Sequence, residues 1–392
     1  MSAPIPEGDG TGLTAAGCAA RRARLWDALP DRCDVLVLAD PAHLVYFANY
    51  VPSPFAFRTN ESGALLLLEP GRATLVADDM MGPFVAKAHV DDTFAPTWYD
   101  GDKTPDPRRT QLVESVLVRL AEGGARRVGV DEATVPAGVV EGLRQVHPSV
   151  EVADLGPIVG PMRRAKDPDE LAVIARAIRA GEAAHARALA EVRPGMTELD
   201  ACLLVQRAAQ ESLGEPAIIY GDFASGPRTW EDKGGPPTSR VIEEGDLLLL
   251  DFSVIVGGYR GDFTNTFVVG GAPTARQREL FEACVNALRV AESKLAPGVP
   301  AREVDAAVRK LFGLLGFEKA FPHHTGHGIG LGHPEAPFFV PHSSDTLQVG
   351  DVVTVEPGLY VDGIGGMRFE RNYVITESGF RNLTNHEIRI QQ

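Results

Sequence analysis

Cysteine is scarce in this chain, with 4 in 392 residues, at positions 18, 33, 202 and 284. These cysteines form neither a Cys-x-x-Cys pair nor another metal-ligand spacing, which predicts reduced thiols in a cytoplasm. No apolar run approaches the roughly 18 residues of a membrane span, so no membrane partner is expected. The N-terminal MSAPIPEGDGTG lacks a basic segment followed by an apolar core, so no secretion signal is expected and a disordered tail is predicted.

Basic residues are also in deficit. The 38 Lys and Arg are outnumbered by 53 Asp and Glu, which gives a formal net charge of -15. Proteins that bind a phosphate backbone normally present a clustered basic face, so no nucleic acid partner is expected. With 44% hydrophobic and 23% charged residues, the composition is that of an ordinary globular protein.

The length of 392 residues exceeds what one hydrophobic core usually organises, which predicts two domains. We expect a disordered tail over residues 1–16, a smaller α/β domain over 17–157 and an α+β domain over 158–392. In the second domain, Asp167-Pro168 is typical of a helix start, and Thr197 with Asp200 resembles a capping box. Two further helices are predicted over residues 274–295 and 301–315.

Four carboxylates and one histidine in the last third of the chain each lie in a Gly-punctuated, strand-like context: Asp251, Asp262, His327, Glu356 and Glu370. A two-residue turn at Gly257-Gly258 would place Asp251 opposite Thr264, with Asp262 on the same face. A hairpin centred on Gly363 would set Glu356 across from Glu370. A structural ion pair is the alternative for Asp251, although Arg260 is the only basic residue nearby in sequence.

His327 lies among alternating glycines, which exclude a stable helix and favour close approach of the backbone to a ligand. Three more histidines crowd the same segment, at positions 323, 324 and 333. Buried carboxylates without cations are prohibitively unfavourable. Four carboxylates with one imidazole favour two hard divalent ions such as Mn, Co, Fe or Zn, which could hold a bridging hydroxide near neutral pH.

In this order, the five residues resemble the M24 metallopeptidase family, in its Xaa-Pro peptidase branch of prolidase and aminopeptidase P. The segments CDVLVLADPAHLVYFANY and MRRAKDPDELAVIARA are similar to the creatinase-type N-terminal domain and to the opening helix of the catalytic domain. The resemblance implies a "pita-bread" catalytic domain, a homodimer and a peptidase that cleaves before proline through a metal-bridging hydroxide. It also implies two divalent ions per chain, with Mn or Co preferred.

The same resemblance implies roles for single residues. Asp251, Asp262, His327, Glu356 and Glu370 would be the metal ligands, with Asp262 and Glu370 bridging. His323, His333 and Glu356 would be catalytic, with His323 contacting the substrate and Glu356 shuttling the proton. For Arg368, two residues before Glu370, we weigh a substrate or carboxylate-binding role against a surface position.

Three departures from the family pattern bear on the substrate. The family's PHxGPS histidine is missing from the stretch Lys233–Ser239, where Gly234 stands in its place. In the HExP segment, His333 comes one position early, and the arginine of DxTRT is Asn265. Two alternatives therefore stay open: a non-peptidase amidohydrolase, amidinohydrolase or lyase acting on a small amide, and a catalytically silent peptide-binding module.

Overall fold

The computed structural model describes residues 10–52 and 63–392. The chain divides into two compact units, with the boundary between Arg163 and Arg164, whereas the sequence placed it between residues 157 and 158. Residues 1–9 of the expected tail lie outside the described residues. Its described part leads into the first helix, which begins at Ala15 with the Thr14 side chain accepting a hydrogen bond from the Gly17 amide.

The smaller unit, which ends at Arg163, is an α/β domain built on a six-stranded sheet of order β4-β3-β2-β1-β5-β6. Its strands are β1 Val35–Leu38, β2 Leu65–Glu69, β3 Arg72–Val76, β4 Asp92–Phe94, β5 Arg127–Val130 and β6 Glu151–Asp154. Its helices are α1 Ala15–Ala28, α2 Pro41–Ala48, α3 Gly82–Val85, α4 Arg108–Gly123, α5 Ala137–Val146 and α6 Gly156–Met162. Apolar side chains of α4, α5 and the central strands form its core.

The larger unit begins with two long helices, α7 Pro168–Glu191 and α8 Glu198–Leu213. Capping boxes start both, from Asp167 with Glu170 and from Thr197 with Asp200. These side chains satisfy amide groups that the first turn leaves without partners. The predicted starts of both helices are therefore confirmed.

Among the described residues, three sheets and three further α-helices complete this unit. The helices are α9 Arg228–Glu231, α10 Ala275–Glu292 and α11 Ala301–Leu314. The strands are β7 Ile218–Ser225, β8 Leu247–Val256, β9 Tyr259–Val268, β10 Gly326–Gly328, β11 Glu335–Phe339, β12 Val352–Val355, β13 Gly358–Val361, β14 Gly365–Arg368, β15 Arg371–Thr376 and β16 Gly379–Asn382. The sheets have the orders β7-β8-β9, β11-β10-β12-β15-β16 and β13-β14.

The β8-β9 hairpin turns at Gly257 and Gly258, whose φ angles are 56° and 83°. Positive φ at both central residues is what a type I′ turn requires, and glycine adopts it without a steric penalty. Val256 consequently pairs with Tyr259, and the register continues to Asp251 opposite Thr264. The predicted pairing is confirmed, and the first carboxylates are fixed on a rigid ribbon.

One large apolar cluster joins α10 and α11 to the strands beneath them, and includes Leu288, Phe312, Phe339 and Met367. The pattern of predicted elements and this layered packing give the α+β class expected for the larger unit. Within the described part of the chain, no helix is both long and apolar enough to cross a membrane.

Candidate metal centre

The carboxylates of the hairpin converge with a third one. Asp251 on β8 and Asp262 on β9 lie on the face that also receives Glu370, and one oxygen of each lies within 4.8 Å of the others. Glu370 is held from two sides, since Thr264 Oγ1 donates to its Oε2 at 2.6 Å and the Thr354 hydroxyl donates to its Oε1. Hydrogen bonds thus orient a group that the neighbouring charges repel.

Glu356 and Glu370 lie between two paired segments of the same register. Val355 pairs with Arg371 on one side of them, and Gly358 pairs with Arg368 on the other. This register is that of a hairpin centred on residue 363, as the sequence predicted. The two glutamates themselves fall outside the strands, where the chain passes from one sheet to the next.

His327 lies on the short strand β10 and faces these carboxylates. Its Nε2 is 3.4 Å from Glu356 Oε1 and 4.0 Å from Asp262 Oδ2. Its Nδ1 lies 2.9 Å from the Gly328 carbonyl oxygen. An Nδ1–H that donates to a carbonyl leaves Nε2 with its lone pair toward the carboxylates, which is the orientation of a metal-binding imidazole.

The carboxylates of this cluster are buried and repel one another, which shifts their pKa values. Burial raises the pKa of Glu370 well above its ordinary value, and the charges of Asp262, Glu356 and Asp251 raise it further. Burial also raises the pKa of Asp251 to about 7, although the positive charge of Arg368 acts against it. Oxygen-rich, buried and mutually repelling ligands with one imidazole fit divalent cations.

Two further histidines contact the predicted ligands. His333 Nε2 lies 2.8 Å from Asp262 Oδ2, so the displaced histidine does reach the cluster. His324 Nε2 lies 3.0 Å from Glu356 Oε1. Burial lowers the pKa of His333, but the hydrogen bond and charge of Asp262 outweigh it and raise the pKa overall. The His324 contact was missed from sequence, which indicated only a crowded segment.

His323 borders the same space without touching a predicted ligand. Its Nε2 lies 3.1 Å from the Tyr360 hydroxyl, and its Nδ1 lies 2.8 Å from the His324 carbonyl oxygen. Burial, reinforced by the charge of Arg368, lowers the pKa of His323 to about 4. A neutral ring at pH 7 is suited to exchange hydrogen bonds with a bound molecule.

Arg368 is buried, not a surface residue, with its side chain 8% exposed. It forms ion pairs with Asp251 and, at 3.2 Å, with Asp222, and it donates to the Tyr360 hydroxyl. The ion-pair partner of Asp251 is therefore Arg368 from β14, whereas Arg260 donates to Tyr220 instead. The sequence identified Arg368 as a candidate but gave no signal for Asp222 or Tyr360.

The structure shows what lies beside Gly234, the position at which the family's PHxGPS histidine is missing. Gly234 has a φ of 140°, and a Cβ built there would lie 2.2 Å from Asp222 Oδ2. The space beside position 234 is therefore filled by the Asp222 side chain from β7.

Asn265, at the position of the family's arginine, faces a pair of buried histidines. Its Nδ2 lies 2.7 Å from His185 Nε2 and donates to the Glu387 carbonyl oxygen at 3.0 Å. The His185 ring packs edge-on against the His386 ring, with centroids 5.4 Å apart. Neither ring nitrogen of His386 has a hydrogen-bond partner among the described residues.

Replacing His386 with phenylalanine should reduce the sensitivity of the fold to acid. Burial, with the charges of His185 and Arg371, lowers the pKa of His386 to about 3. The unfolded chain binds this proton near pH 6.5, so the contribution of His386 to stability is complete above that pH and falls as the pH decreases toward 3. At pH 4.5 the lowered pKa of His386 reduces the free energy of unfolding by about 2–3 kcal/mol relative to its value above pH 6.5.

Urea unfolding at pH 7.5 and 4.5 measures this effect. We expect the loss of unfolding free energy between the two pH values to be about 2 kcal/mol smaller in His386→Phe than in the parent protein. Replacement of the exposed His342 by phenylalanine is the control and should leave the loss unchanged. Equal losses in His386→Phe and the parent protein would contradict this assignment.

The whole arrangement opens into a cavity of about 500 Å³. It is lined by the predicted ligands, the crowded histidines and a rim from β7 and the following loop: Tyr220, Gly221, Asp222, Lys233, Pro236, Asp251, Ser253, Asp262, Pro322, His323, His324, His327, His333, Pro334, Glu356, Arg368 and Glu370. A small molecule or the end of a peptide fits such a volume.

Comparison with known proteins agrees with this geometry. Residues 172–377 match the family model for metallopeptidase family M24, and residues 21–165 match that for the creatinase/prolidase N-terminal domain. The chain belongs to metallopeptidase family M24. The Xaa-Pro dipeptidase of Pyrococcus horikoshii is 31% identical over 264 residues, covering 67% of this chain and 74% of that protein.

Two other relatives of this M24 chain give the same result. The Xaa-Pro dipeptidase of Pyrococcus furiosus is 30% identical over 256 residues, 65% of this chain and 73% of that protein. The structure of an Xaa-Pro dipeptidase from Bacillus anthracis superposes with a TM-score of 0.81 at 25% identity, covering 96% of this chain and all of that one. The predicted creatinase-type domain and pita-bread catalytic domain are confirmed, and the chain is a metallopeptidase of this family.

Proposed function

We propose that this M24 metallopeptidase uses two divalent ions to cleave the peptide bond that precedes proline in short peptides. The observation that carries the proposal is the convergence of Asp251, Asp262 and Glu370, with His327 and Glu356 completing the cluster. Buried carboxylates at this spacing require cations. The names of the Pyrococcus and Bacillus relatives support proline-containing dipeptides as the substrate class.

In this proposal Asp251, Asp262, His327, Glu356 and Glu370 would hold the ions, and Asp262 and Glu370 would be the ligands shared between them. Bound there, the ions would polarise the scissile carbonyl and lower the pKa of the attacking water. The Thr264 and Thr354 hydroxyls would keep the Glu370 oxygens aimed at the site, because they donate to both of them.

Glu356 is placed to move the proton. Burial raises its pKa, but the hydrogen bond from His324 and the charges of His327 and His324 outweigh this and lower the pKa overall. An ionised Glu356 can accept the proton of the attacking water and deliver it to the leaving proline nitrogen. His324 Nε2, 3.0 Å from Glu356 Oε1, would orient that carboxylate during the transfer.

His323 and His333 would act on the substrate oxygens. Both side chains line the cavity, and in the sequence one precedes His327 and the other follows it. Donors fixed at such positions stabilise a developing oxyanion without reorganisation. Arg368 would position Asp251 through their ion pair, since its guanidinium is already engaged by Asp251 and Tyr360.

Purified protein loaded with Mn²⁺ or Co²⁺ should hydrolyse Xaa-Pro dipeptides or longer Xaa-Pro peptides, and should leave the matched Xaa-Ala peptides uncleaved. Release of the N-terminal residue, followed by chromatography, measures this. Failure to cleave every Xaa-Pro substrate while the protein retains its metal would overturn the proline specificity.

The second candidate is a non-peptidase amidohydrolase, amidinohydrolase or lyase of the same fold. The departures at Gly234 and Asn265 favour it, because neither changes a predicted ligand. Gly234 leaves room for the Asp222 side chain, which lines the cavity, whereas Asn265 contacts the buried His185. Turnover of small amides or guanidino compounds, without turnover of Xaa-Pro peptides, would select it. For a silent peptide-binding module we expect less than about one metal ion per chain, against two for the enzyme.

The identity of the metal, the dimer and the compartment stay predictions. A carboxylate-rich site with one imidazole favours Mn or Co, with Zn or Fe as alternatives. The four cysteines are buried, and the reducing cytoplasm stays a prediction from their spacing. The homodimer rests on the resemblance to the family.

A further inference from the structure

A carboxylate outside the predicted ligand set borders the cavity. Asp222 on β7 is paired with Asp251 on β8, so the two acids lie directly opposite each other on adjacent antiparallel strands. Like charges in this relation are destabilising unless something lies between them. The Asp222 side chain is 36% exposed, whereas that of Asp251 is 21% exposed, which places Asp222 on the outer side of the pair.

Arg368 separates the two carboxylates. Its Nη2 donates to Asp222 Oδ2 at 3.2 Å and to Asp251 Oδ2. The other oxygen of Asp222, Oδ1, has no hydrogen-bond partner among residues 10–52 and 63–392. Asp222 is therefore anchored through one oxygen and keeps an unused acceptor in a side chain that lines the cavity.

The position of Asp222 depends on Gly234. A Cβ at residue 234 would overlap Asp222 Oδ2 at 2.2 Å, so a side chain there and the observed position of Asp222 exclude each other. The chain thus combines an aspartate on β7 with a glycine on the facing loop. Lys233 lines the same cavity, and no ion pair joins it to Asp222 within the described part of the chain.

We propose that Asp222 is a specificity-determining residue, whose free carboxylate oxygen accepts a hydrogen bond from a positively charged group of the substrate. That group is the free α-ammonium or the basic side chain of the residue N-terminal to the scissile bond. An anionic group at this place would face the carboxylate and is disfavoured. This inference rests on the proposed peptidase function.

Kinetics with Arg-Pro, Leu-Pro, Glu-Pro and N-acetyl-Arg-Pro test the proposal in the Mn²⁺-loaded protein. We expect kcat/KM to be higher for substrates with a free α-ammonium or a basic side chain than for acetylated or acidic substrates. The ratio of these two kcat/KM values should fall by about tenfold in Asp222→Asn, because a charge-assisted hydrogen bond is replaced by a neutral one. If acetylation of Arg-Pro abolishes the preference, the recognised group is the α-ammonium. If Arg-Pro is preferred over Leu-Pro, the recognised group is the basic side chain.

Glu215→Gln is the matched control. Glu215 is also an exposed carboxylate paired with an arginine, Arg176, and it lies just before β7 without lining the cavity. The control should keep the parent ratio, and Asp222→Glu should keep most of it. If Asp222→Asn loses the same factor in kcat/KM for all substrates, Asp222 only supports Arg368 and the proposal is overturned. The proposal is also overturned if kcat/KM of the parent protein does not depend on the charge of the substrate.

A binding measurement separates this inference from the peptidase assignment. Calorimetry with L-argininamide, leucinamide and N-acetyl-argininamide needs no turnover. If argininamide binds the parent protein at least about tenfold more tightly than it binds Asp222→Asn, the recognition of a cation is supported, even if no Xaa-Pro peptide is cleaved. Equal affinity of argininamide for both proteins overturns it, even if Xaa-Pro peptides are good substrates.

Discussion

Replacing Asp262 with asparagine or Glu370 with glutamine will remove metal binding and peptidase activity together. Each side chain is proposed to contact both ions, so neither ion can be held by the remaining ligands alone. We expect fewer than about one ion per chain, and a loss of kcat/KM of at least two orders of magnitude, since even partners that only orient a ligand contribute roughly 10–100-fold. Metal analysis after dialysis and the Xaa-Pro assay measure the two effects.

Stability distinguishes loss of a ligand from loss of the fold. In the metal-free protein, Glu370 is a buried carboxyl whose pKa is raised well above the ordinary value, chiefly by burial. Glu370→Gln should therefore be at least as stable as the parent protein when both lack metal at pH 8. Asp246→Asn is the control, because Asp246 immediately precedes β8, pairs with Arg240 and does not line the cavity.

The control should retain two ions and its activity per folded molecule. Activity that persists in Asp262→Asn or Glu370→Gln at near-parent levels would contradict the proposed bridging. Loss of activity with both ions still bound would contradict it as well, because the residue would then act in a step other than holding the metal.

Chelation of the metal will destabilise the protein more strongly as the pH rises from 6.5 to 8.5. Folding favours the protonated forms of Asp251, whose pKa is raised to about 7, and of Glu370, whose pKa is raised well above its ordinary value. A raised pKa contributes stability below the unfolded value and loses it as the pH rises through the folded value. For Asp251 alone the full difference between low and high pH is roughly 4 kcal/mol, of which about 1 kcal/mol is lost between pH 6.5 and 8.5.

Two of the four histidines of the site, His324 and His333, act in the same direction within this window. The pKa values of His324 and His333 are raised, largely through Glu356 and Asp262, so their contributions in the metal-free protein also decline as the pH rises above 6.5. Bound cations favour the ionised carboxylates and neutral imidazoles instead. The metal-loaded protein should therefore lose less stability over the same range.

Thermal unfolding with and without EDTA, at pH 6.5 and 8.5, measures this linkage. The gap between the two Tm values should widen by about 4 °C or more, since 1 kcal/mol corresponds to roughly 2–4 °C in a unit of this size. Glu370→Gln, which lacks one of the two ligand carboxyl groups whose pKa is raised, should show a smaller widening. A gap that stays constant or narrows toward pH 8.5 would contradict the electrostatic account of the site.

Local rules made the placement of the four carboxylates predictable from sequence. The turn at Gly257 and Gly258 fixes which residues of β8 and β9 face each other, so the amino-acid sequence alone assigns Asp251 and Asp262 to one face. The hairpin centred on residue 363 does the same for Glu356 and Glu370. In each case the relation depends on a short turn and the two-residue period of a strand.

The wall of the cavity could not be predicted in that way. Asp222 lies opposite Asp251 because β7 pairs with β8, and no short turn joins these strands to fix their register. Arg368 could be placed near Glu370, but its partners come from β7 and β8, far away in the chain. Pairings of this kind depend on tertiary packing, which a two-residue or helical period does not encode.

Anomalous diffraction from crystals grown with Mn²⁺ tests the central claim most directly. The account predicts two peaks about 3.5–4 Å apart. Both peaks should be surrounded by the side chains of Asp251, Asp262, His327, Glu356 and Glu370, with Asp262 and Glu370 touching each peak. A single peak at full occupancy, or peaks held by other side chains, would contradict it.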